Sequence, residues 1–147
     1  MQPIRILDMP PSRMIASPAG MFGEPALEAF GDWIARQPRT LHPRDYLLWD
    51  DSDPAHPGFR WLYEYSEGTS MPEGSALLDF PGGLYAVAVD ADQRTDKPAM
   101  DAAVAAFLAE RGFAADPDRR ELGRIITSPR ASRRLGYEQM EYWYPIV

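Results

Sequence analysis

Apolar and polar residues along this chain fall into two series of similar design. Each series begins with two short apolar runs of the kind that predicts strands. The runs flank a similar phrase, residues 7–10 (LDMP) in the first series and residues 78–81 (LDFP) in the second. One helical pattern and two further strand patterns follow each phrase. Such a repeat predicts two strand-helix-strand-strand units, at about residues 1–70 and 71–147, related by pseudo-twofold symmetry within a single domain spanning 1–147.

Both predicted helices combine apolar residues at helical spacing with signals at their ends. The first is predicted over residues 24–37, because Pro38 cannot continue a helix. The second is predicted over residues 97–111, with Asp96 as its N-cap and Gly112 as its C-terminal glycine.

Four strands are predicted after the helices, two in each half. They cover residues 45–50, 59–65, 121–126 and 141–146. The leading strand of each half is expected to bend at its proline, near residue 10 or residue 81. The pattern predicts an α+β fold: an antiparallel or mixed sheet with both helices packed on one face and a ligand cleft on the other.

Aromatic residues are concentrated in these strands, beside two glutamates. A single tryptophan or tyrosine usually belongs to a core, but aromatic faces near a carboxylate also hold flat or cationic ligands. A carboxylate in an aromatic cavity is costly unless it is paired, and the alternative is that each glutamate faces water. The candidate ligand-binding residues are Trp49, Trp61, Tyr63, Tyr85, Glu121, Glu141 and Trp143.

Composition excludes several other classes. The chain of 147 residues has no cysteine, which excludes disulfides, thiolate metal sites and cysteine nucleophiles. Its net charge of −7 argues against direct nucleic-acid binding. No apolar run is long enough for a membrane span, and the first five residues lack the features of a signal peptide, so we expect a cytoplasmic protein. No nucleotide-binding, metal-site or catalytic-triad spacing is present, so no cofactor and no metal are expected.

Three segments carry a resemblance to a known family. Residues 9–16 (MPPSRMIA) resemble the family's first strand, and residues 80–89 (FPGGLYAVAV) resemble its "GG.YAV" strand. Residues 141–146 (EYWYPI) resemble its closing "E.Y.PI" strand. Over nearly its whole length the chain resembles the GyrI-like family, also described as AraC-type effector-binding or SOUL-related domains. The resemblance implies the same duplicated fold.

The resemblance also implies a function and a site. Family members bind small, often lipophilic and cationic molecules between their repeats, which connects them with multidrug binding and transcription regulation. The family's strand glutamate after the second helix corresponds by position to Glu121. Gly123 stands where the family has a tyrosine, so Glu141 is the second candidate.

The leading hypothesis is a stand-alone domain that senses or sequesters an aromatic or cationic small molecule, without contacting nucleic acid or a membrane. A first alternative is a hydrolase of strained electrophiles, in which Glu121 would be the catalytic residue. A second alternative is a protein-interaction inhibitor, as the family's link to gyrase implies, in which the acidic surface engages a basic partner. The sequence leaves the oligomeric state open.

Overall fold

The computed structural model describes residues 3–147; the predicted absence of a signal peptide falls partly on Met1 and Gln2, which lie outside them. The chain divides into two compact units. Unit 1 contains the described residues up to Pro10 together with Gly82–Val147, and unit 2 is Pro11–Pro81. Helices and antiparallel strands make up both units, so the α+β class is confirmed. The pseudo-twofold symmetry and the single-domain assignment stay predictions.

Eleven elements follow one another along the described chain. They are β1 (Arg5–Met9), β2 (Ser12–Ala16), α1 (Pro25–Ala35), β3 (Asp45–Asp50), β4 (Gly58–Glu64), β5 (Ala76–Phe80), β6 (Gly83–Ala91), α2 (Lys97–Arg111), β7 (Leu122–Ile125), α3 (Pro129–Leu135) and β8 (Gln139–Pro145). The four strands of unit 1 are ordered β1-β6-β8-β7, and those of unit 2 are ordered β3-β4-β2-β5. Every strand pair within each unit is antiparallel.

Each unit has a core between its sheet and one helix. In unit 1, α2 contributes Met100, Val104 and Leu108, which pack on Ala86 and Ala88 of β6. The small alanines allow the helix to approach the sheet closely. In unit 2, Phe30 and Trp33 of α1 pack against Ile15 of β2 and Tyr63 of β4. The sheet therefore meets its helix through small alanine side chains in unit 1 and through large aromatic side chains in unit 2.

The second predicted helix is confirmed residue for residue, because both of its ends carry specific signals. The Asp96 carboxylate accepts a hydrogen bond from the Ala99 amide, and Gly112 adopts a left-handed φ of 78° after the last turn. The first helix is shorter than predicted and ends at Ala35.

A third helix, α3, was not predicted. It has the same end signals, since the Ser128 hydroxyl accepts from the Ala131 amide and Gly136 follows with a φ of 79°. None of its residues is buried, so no apolar stripe indicates it. The arginines at 130, 133 and 134 belong to this helix.

The leading strand of each half is two separate strands rather than one bent strand. β1 pairs with β6 in unit 1, whereas β2 pairs with β4 and β5 in unit 2. The turns at Pro10 and at Gly82 therefore separate strands of different units. Among the described residues, no helix is long and apolar enough to cross a membrane.

Replacement of Gly58 by alanine is expected to destabilise unit 2. A Cβ at this position would lie 2.6 Å from the amide nitrogen and 2.8 Å from the carbonyl oxygen of Gly20. Phe59 exchanges backbone hydrogen bonds of 2.9 and 2.7 Å with Gly20, so neither segment can move away without losing them. We expect Gly58→Ala to lower the free energy of unfolding by about 1–3 kcal/mol, the usual cost of overpacking.

Urea unfolding followed by circular dichroism measures this change. Glu67→Ala, at an exposed loop position, is the control and should leave the free energy of unfolding within about 0.5 kcal/mol of the wild-type value. Equal midpoints for Gly58→Ala and wild type would contradict the close approach of these two backbones.

Candidate functional site

The strand β8 directs its side chains alternately to two faces of the unit 1 sheet. Tyr142 and Tyr144 pack on the core under α2. Glu141 and Trp143 therefore lie on the opposite face, which we call the distal face. The other residues of the distal face follow from the register of β1, β6 and β7. The distal face comprises Arg5, Leu7, Met9, Tyr85, Val87, Val89, Leu122, Arg124, Glu141 and Trp143.

The carboxylate of Glu141 is the central polar group of the distal face. The residue is only 6% exposed. Its Oε1 accepts a hydrogen bond of 3.2 Å from the indole Nε1 of Trp143, and its Oε2 accepts from the Arg5 guanidinium. Both carboxylate oxygens are thus engaged, one by a neutral donor and one by a cation. This pairing compensates for the cost of burying the charge.

Two aromatic rings extend the site from Glu141 along the sheet. Trp143 and Tyr85 are both buried, and their ring centroids lie 5.5 Å apart at 62°. The guanidinium carbon of Arg124 lies 5.9 Å from the Trp143 centroid, and that of Arg119 lies 4.7 Å from the Tyr85 centroid. Each of the two rings therefore contacts a guanidinium group, from Arg124 of the distal face or from Arg119 beside it.

Arg119 fixes the end of this array. Its guanidinium donates to Asp116 Oδ2 at 2.7 Å and to the carbonyl oxygens of Gly82, Leu84 and Ile146 at 3.1, 2.8 and 2.7 Å. These bonds tie the first residues of β6 to the end of the chain. Tyr85 is consequently held between Arg119 on one side and Trp143 on the other.

Such an arrangement suits binding better than acid–base chemistry. A general base needs an oxygen that reaches a water or a substrate proton, whereas both Glu141 oxygens are already engaged. The carboxylate already holds one cation, the guanidinium of Arg5, beside the ring of Trp143.

Glu121 lies outside this array. It immediately precedes β7, its side chain is 51% exposed, and it accepts a 3.1 Å hydrogen bond from Lys97 Nζ. Burial lowers the pKa of Lys97, but hydrogen bonds from Lys97 to Asp101, Tyr144 and Glu121 outweigh it and raise the pKa above the usual value. Lys97 is therefore firmly cationic and compensates Glu121. A role of Glu121 in ligand binding or catalysis stays a prediction.

The other predicted aromatic residues belong to unit 2 and lie on the face that carries α1. Tyr63 packs edge-on against Trp33 at 5.2 Å. The Trp61 indole donates to Asp45 Oδ2 at 2.9 Å. Trp49 is 43% exposed and lies 5.0 Å from Phe59. The structure thus brings Tyr85, Glu141 and Trp143 together in unit 1, and it places Trp49, Trp61 and Tyr63 in unit 2. The role of all six residues in ligand binding stays a prediction.

Arg60 and Asp50 form an ion pair on the face of unit 2 opposite α1. Arg60 Nε donates to Asp50 Oδ2 at 2.7 Å, and Ser52 donates to Asp50 Oδ1 through both its hydroxyl and its amide. The Ser52 bonds, with the Arg60 pair adding to them, lower the pKa of Asp50 from 3.8 to about 2.

Arg5 and Arg119 were not among the residues predicted from the sequence. Arg5 did give a signal, since it alternates with Leu7 and Met9 and therefore shares a strand face with apolar residues. A charged residue in such a position is expected to have a buried partner. Arg119 lies between elements and gave no comparable signal.

No family model and no curated protein matches this chain. Solved structures do match it. A cryo-EM structure of an EcmrR–DNA complex superposes with a TM-score of 0.67 at 7% identity, over 98% of this chain and 57% of that chain. The chain thus spans little more than half of that protein. The EcmrR C-terminal domain alone gives a TM-score of 0.60 at 7% identity, over 99% of this chain and 97% of the domain.

Two further structures have the same fold. One is described as a hydrolase from Listeria innocua, with a TM-score of 0.67 at 11% identity, over 98% of this chain and 91% of that chain. The other is SAV2435 bound to tetraphenylphosphonium, with a TM-score of 0.55 at 9% identity, over 99% of this chain and 94% of that chain. At these identities the similarity establishes the fold that the chain shares with these proteins.

Replacement of Arg119 by methionine is expected to destabilise unit 1. Methionine retains much of the apolar stem but leaves the carbonyl oxygens of Gly82, Leu84 and Ile146 without this donor. The carbonyl of Leu84 keeps a 3.0 Å hydrogen bond from the Ile146 amide. We expect a loss of more than about 2 kcal/mol in urea unfolding, because an unsatisfied buried acceptor costs about 1–3 kcal/mol and both Gly82 and Ile146 lose this donor. The control Arg39→Met, at an exposed loop position, should change stability by less than about 0.5 kcal/mol. Equal losses in both variants would refute the anchoring role of Arg119.

The lowered pKa of Asp50 predicts a pH dependence of stability. Because the pKa of Asp50 is lower in the folded protein, its contribution is fully present above 3.8 and is lost as the pH falls towards about 2. We expect Asp50→Asn to be less stable than wild type at neutral pH, with the difference shrinking across that interval. Urea unfolding at a series of pH values measures it, and a difference independent of pH would argue against this assignment.

Proposed function

We propose that this chain is a GyrI-like small-molecule-binding domain whose ligand is a lipophilic aromatic cation. The ligand binds at the distal face, against the rings of Tyr85 and Trp143, with Glu141 as its counter-charge. The observation that carries the proposal is the buried carboxylate of Glu141, hydrogen-bonded to the indole of Trp143.

Burial makes this carboxylate selective for charge. A cation that reaches Glu141 exchanges its hydration for a charge-assisted contact in surroundings of low dielectric constant, where such a contact is stronger than in water. The adjacent rings contribute apolar contact area and a favourable electrostatic interaction with a cation. A neutral molecule of the same shape receives only the apolar part.

The fold supports the same proposal. SAV2435, which shares it, has been solved with tetraphenylphosphonium, a lipophilic aromatic cation. EcmrR, which contains it as a C-terminal domain, has been solved on DNA. We infer that the domain senses or sequesters its ligand in the cytoplasm, in connection with transcription regulation, and does not itself contact nucleic acid.

Titration with two ligands of nearly equal shape and opposite charge tests the site. Tetraphenylphosphonium is expected to bind the wild-type protein, whereas tetraphenylborate is not. Glu141→Gln should weaken phosphonium binding at least about tenfold, or ~1.4 kcal/mol, because it removes the negative charge while retaining the shape. Isothermal titration calorimetry gives the dissociation constants, and quenching of tryptophan fluorescence provides a second readout.

Glu121→Gln is the matched control, because its carboxylate is exposed and paired with Lys97. Its dissociation constant should stay within about twofold of the wild-type value. If Glu121→Gln abolishes binding and Glu141→Gln does not, the ligand site is at Glu121 instead. If the phosphonium and the borate bind equally well, the proposal of a carboxylate site for cations is wrong.

Hydrolysis is the second candidate, because one protein of the same fold is described as a hydrolase. Mass spectrometry of the protein with strained electrophiles such as epoxides distinguishes the two functions. A product that gains the mass of water, and that disappears in Glu121→Gln while binding persists, would establish an enzyme. Recovery of unchanged electrophile together with phosphonium binding would favour the binding function.

A further inference from the structure

The ion pair between Arg5 and Glu141 joins two side chains of very different exposure. The Glu141 side chain is 8% exposed, whereas the Arg5 side chain is 49% exposed. Glu141 is also fixed through its bond to the Trp143 indole, and β8 has a neighbouring strand on each side. The carboxylate is thus the immobile partner, and the half-exposed arginine is the partner that can move into solvent.

The Arg5 side chain reaches Glu141 by crossing an intervening strand. Arg5 is opposite Val87 of β6, and Glu141 is opposite Val89 of the same strand on its other side. Two strand spacings separate β1 from β8, on the order of 10 Å. An extended arginine therefore lies across the middle of the distal face, over the part of β6 that carries these valines. Its guanidinium occupies Oε2 of Glu141.

We propose that Arg5 is an intramolecular competitor for the cation site, so that a ligand binds Glu141 only by displacing the guanidinium. This inference rests on the proposed function. In the unliganded protein the arginine supplies the positive charge that the buried carboxylate requires. When a ligand cation takes its place, the guanidinium moves into water, towards which the Arg5 side chain is already half exposed.

This competition determines the apparent affinity. Only the fraction of molecules in which Arg5 has left the carboxylate can bind, so the dissociation constant increases in inverse proportion to that fraction. An open fraction of about one in ten raises the dissociation constant about tenfold. Weak cations are therefore excluded, and a ligand must bind the carboxylate better than the chain's own arginine does.

Tetraphenylphosphonium titrations of four proteins test the competition. They are wild type, Arg5→Gln, Glu141→Gln and the double variant. Glutamine is too short to cross β6 and has no charge. We expect Arg5→Gln to bind about tenfold more tightly than wild type. In the Glu141→Gln background the same change should alter affinity by less than about twofold, because no carboxylate remains for the arginine to occupy.

The double-variant cycle separates competition from a general charge effect. If Arg5 merely repels a cation, its removal tightens binding to the same extent in the wild-type and the Glu141→Gln backgrounds. Arg13→Gln controls for the loss of one exposed positive charge, since Arg13 pairs with the exposed Asp79, and it should leave the affinity unchanged.

Stability measurements guard against misfolding of Arg5→Gln. Thermal unfolding of each unliganded variant shows whether it is folded. Arg5→Lys retains the charge without the planar guanidinium and should give a smaller gain in affinity than Arg5→Gln.

Two further outcomes of the phosphonium titrations would contradict the competition. Unchanged or weaker binding by Arg5→Gln, with Glu141→Gln still weakening binding, would overturn the competition and leave the proposed function in place. Absence of phosphonium binding in wild type and in folded Arg5→Gln alike would overturn both.

Discussion

β8 pairs with β6 along one edge and with β7 along the other, and this double pairing holds it in one register. Its odd and even residues face opposite sides of the sheet. Tyr142 and Tyr144 take part in the core beneath α2, which leaves Glu141 and Trp143 on the distal face. A register slip of one residue would place the carboxylate in that core. The position of Glu141 is therefore determined by helix packing.

The buried carboxylate of Glu141 depends on hydrogen-bond donors that include a residue distant in sequence. A carboxylate removed from water needs donors in the right geometry, and the sheet provides them from two sources. Trp143, two residues further along the same strand, donates from its indole. Arg5 comes from β1, which is 136 residues away in sequence. The edge strand of unit 1 thus contributes a counter-ion as well as backbone pairing.

The sequence predicts local structure well where both ends of an element carry signals. α2 is bounded by Asp96 and Gly112, and its limits were predicted correctly. α3 was missed because it buries nothing. Alternation along a strand shows that Trp61 and Tyr63 lie on the same face, but it does not show whether that face meets a helix. The structure places them under α1.

The candidate site was predictable only in part, because alternation along one strand does not show which other strands lie beside it. Tyr85, Glu141 and Trp143 could be selected by residue type and strand position. Their mutual contacts, and the two arginines at the ends of the array, depend on strand order in the folded sheet. The number of chain segments that could supply a partner for a buried carboxylate is too large for spacing alone to decide.

Arg5 and Arg119 show how surroundings give the same residue type different roles. The Arg119 side chain is 13% exposed and donates to a carboxylate and three backbone carbonyls. Its release would remove one donor from four acceptors at once, so it acts as a structural anchor. The Arg5 side chain is about half exposed, and it donates to the carboxylate of Glu141. This difference is the basis of the proposal that Arg5, unlike Arg119, is a displaceable counter-ion.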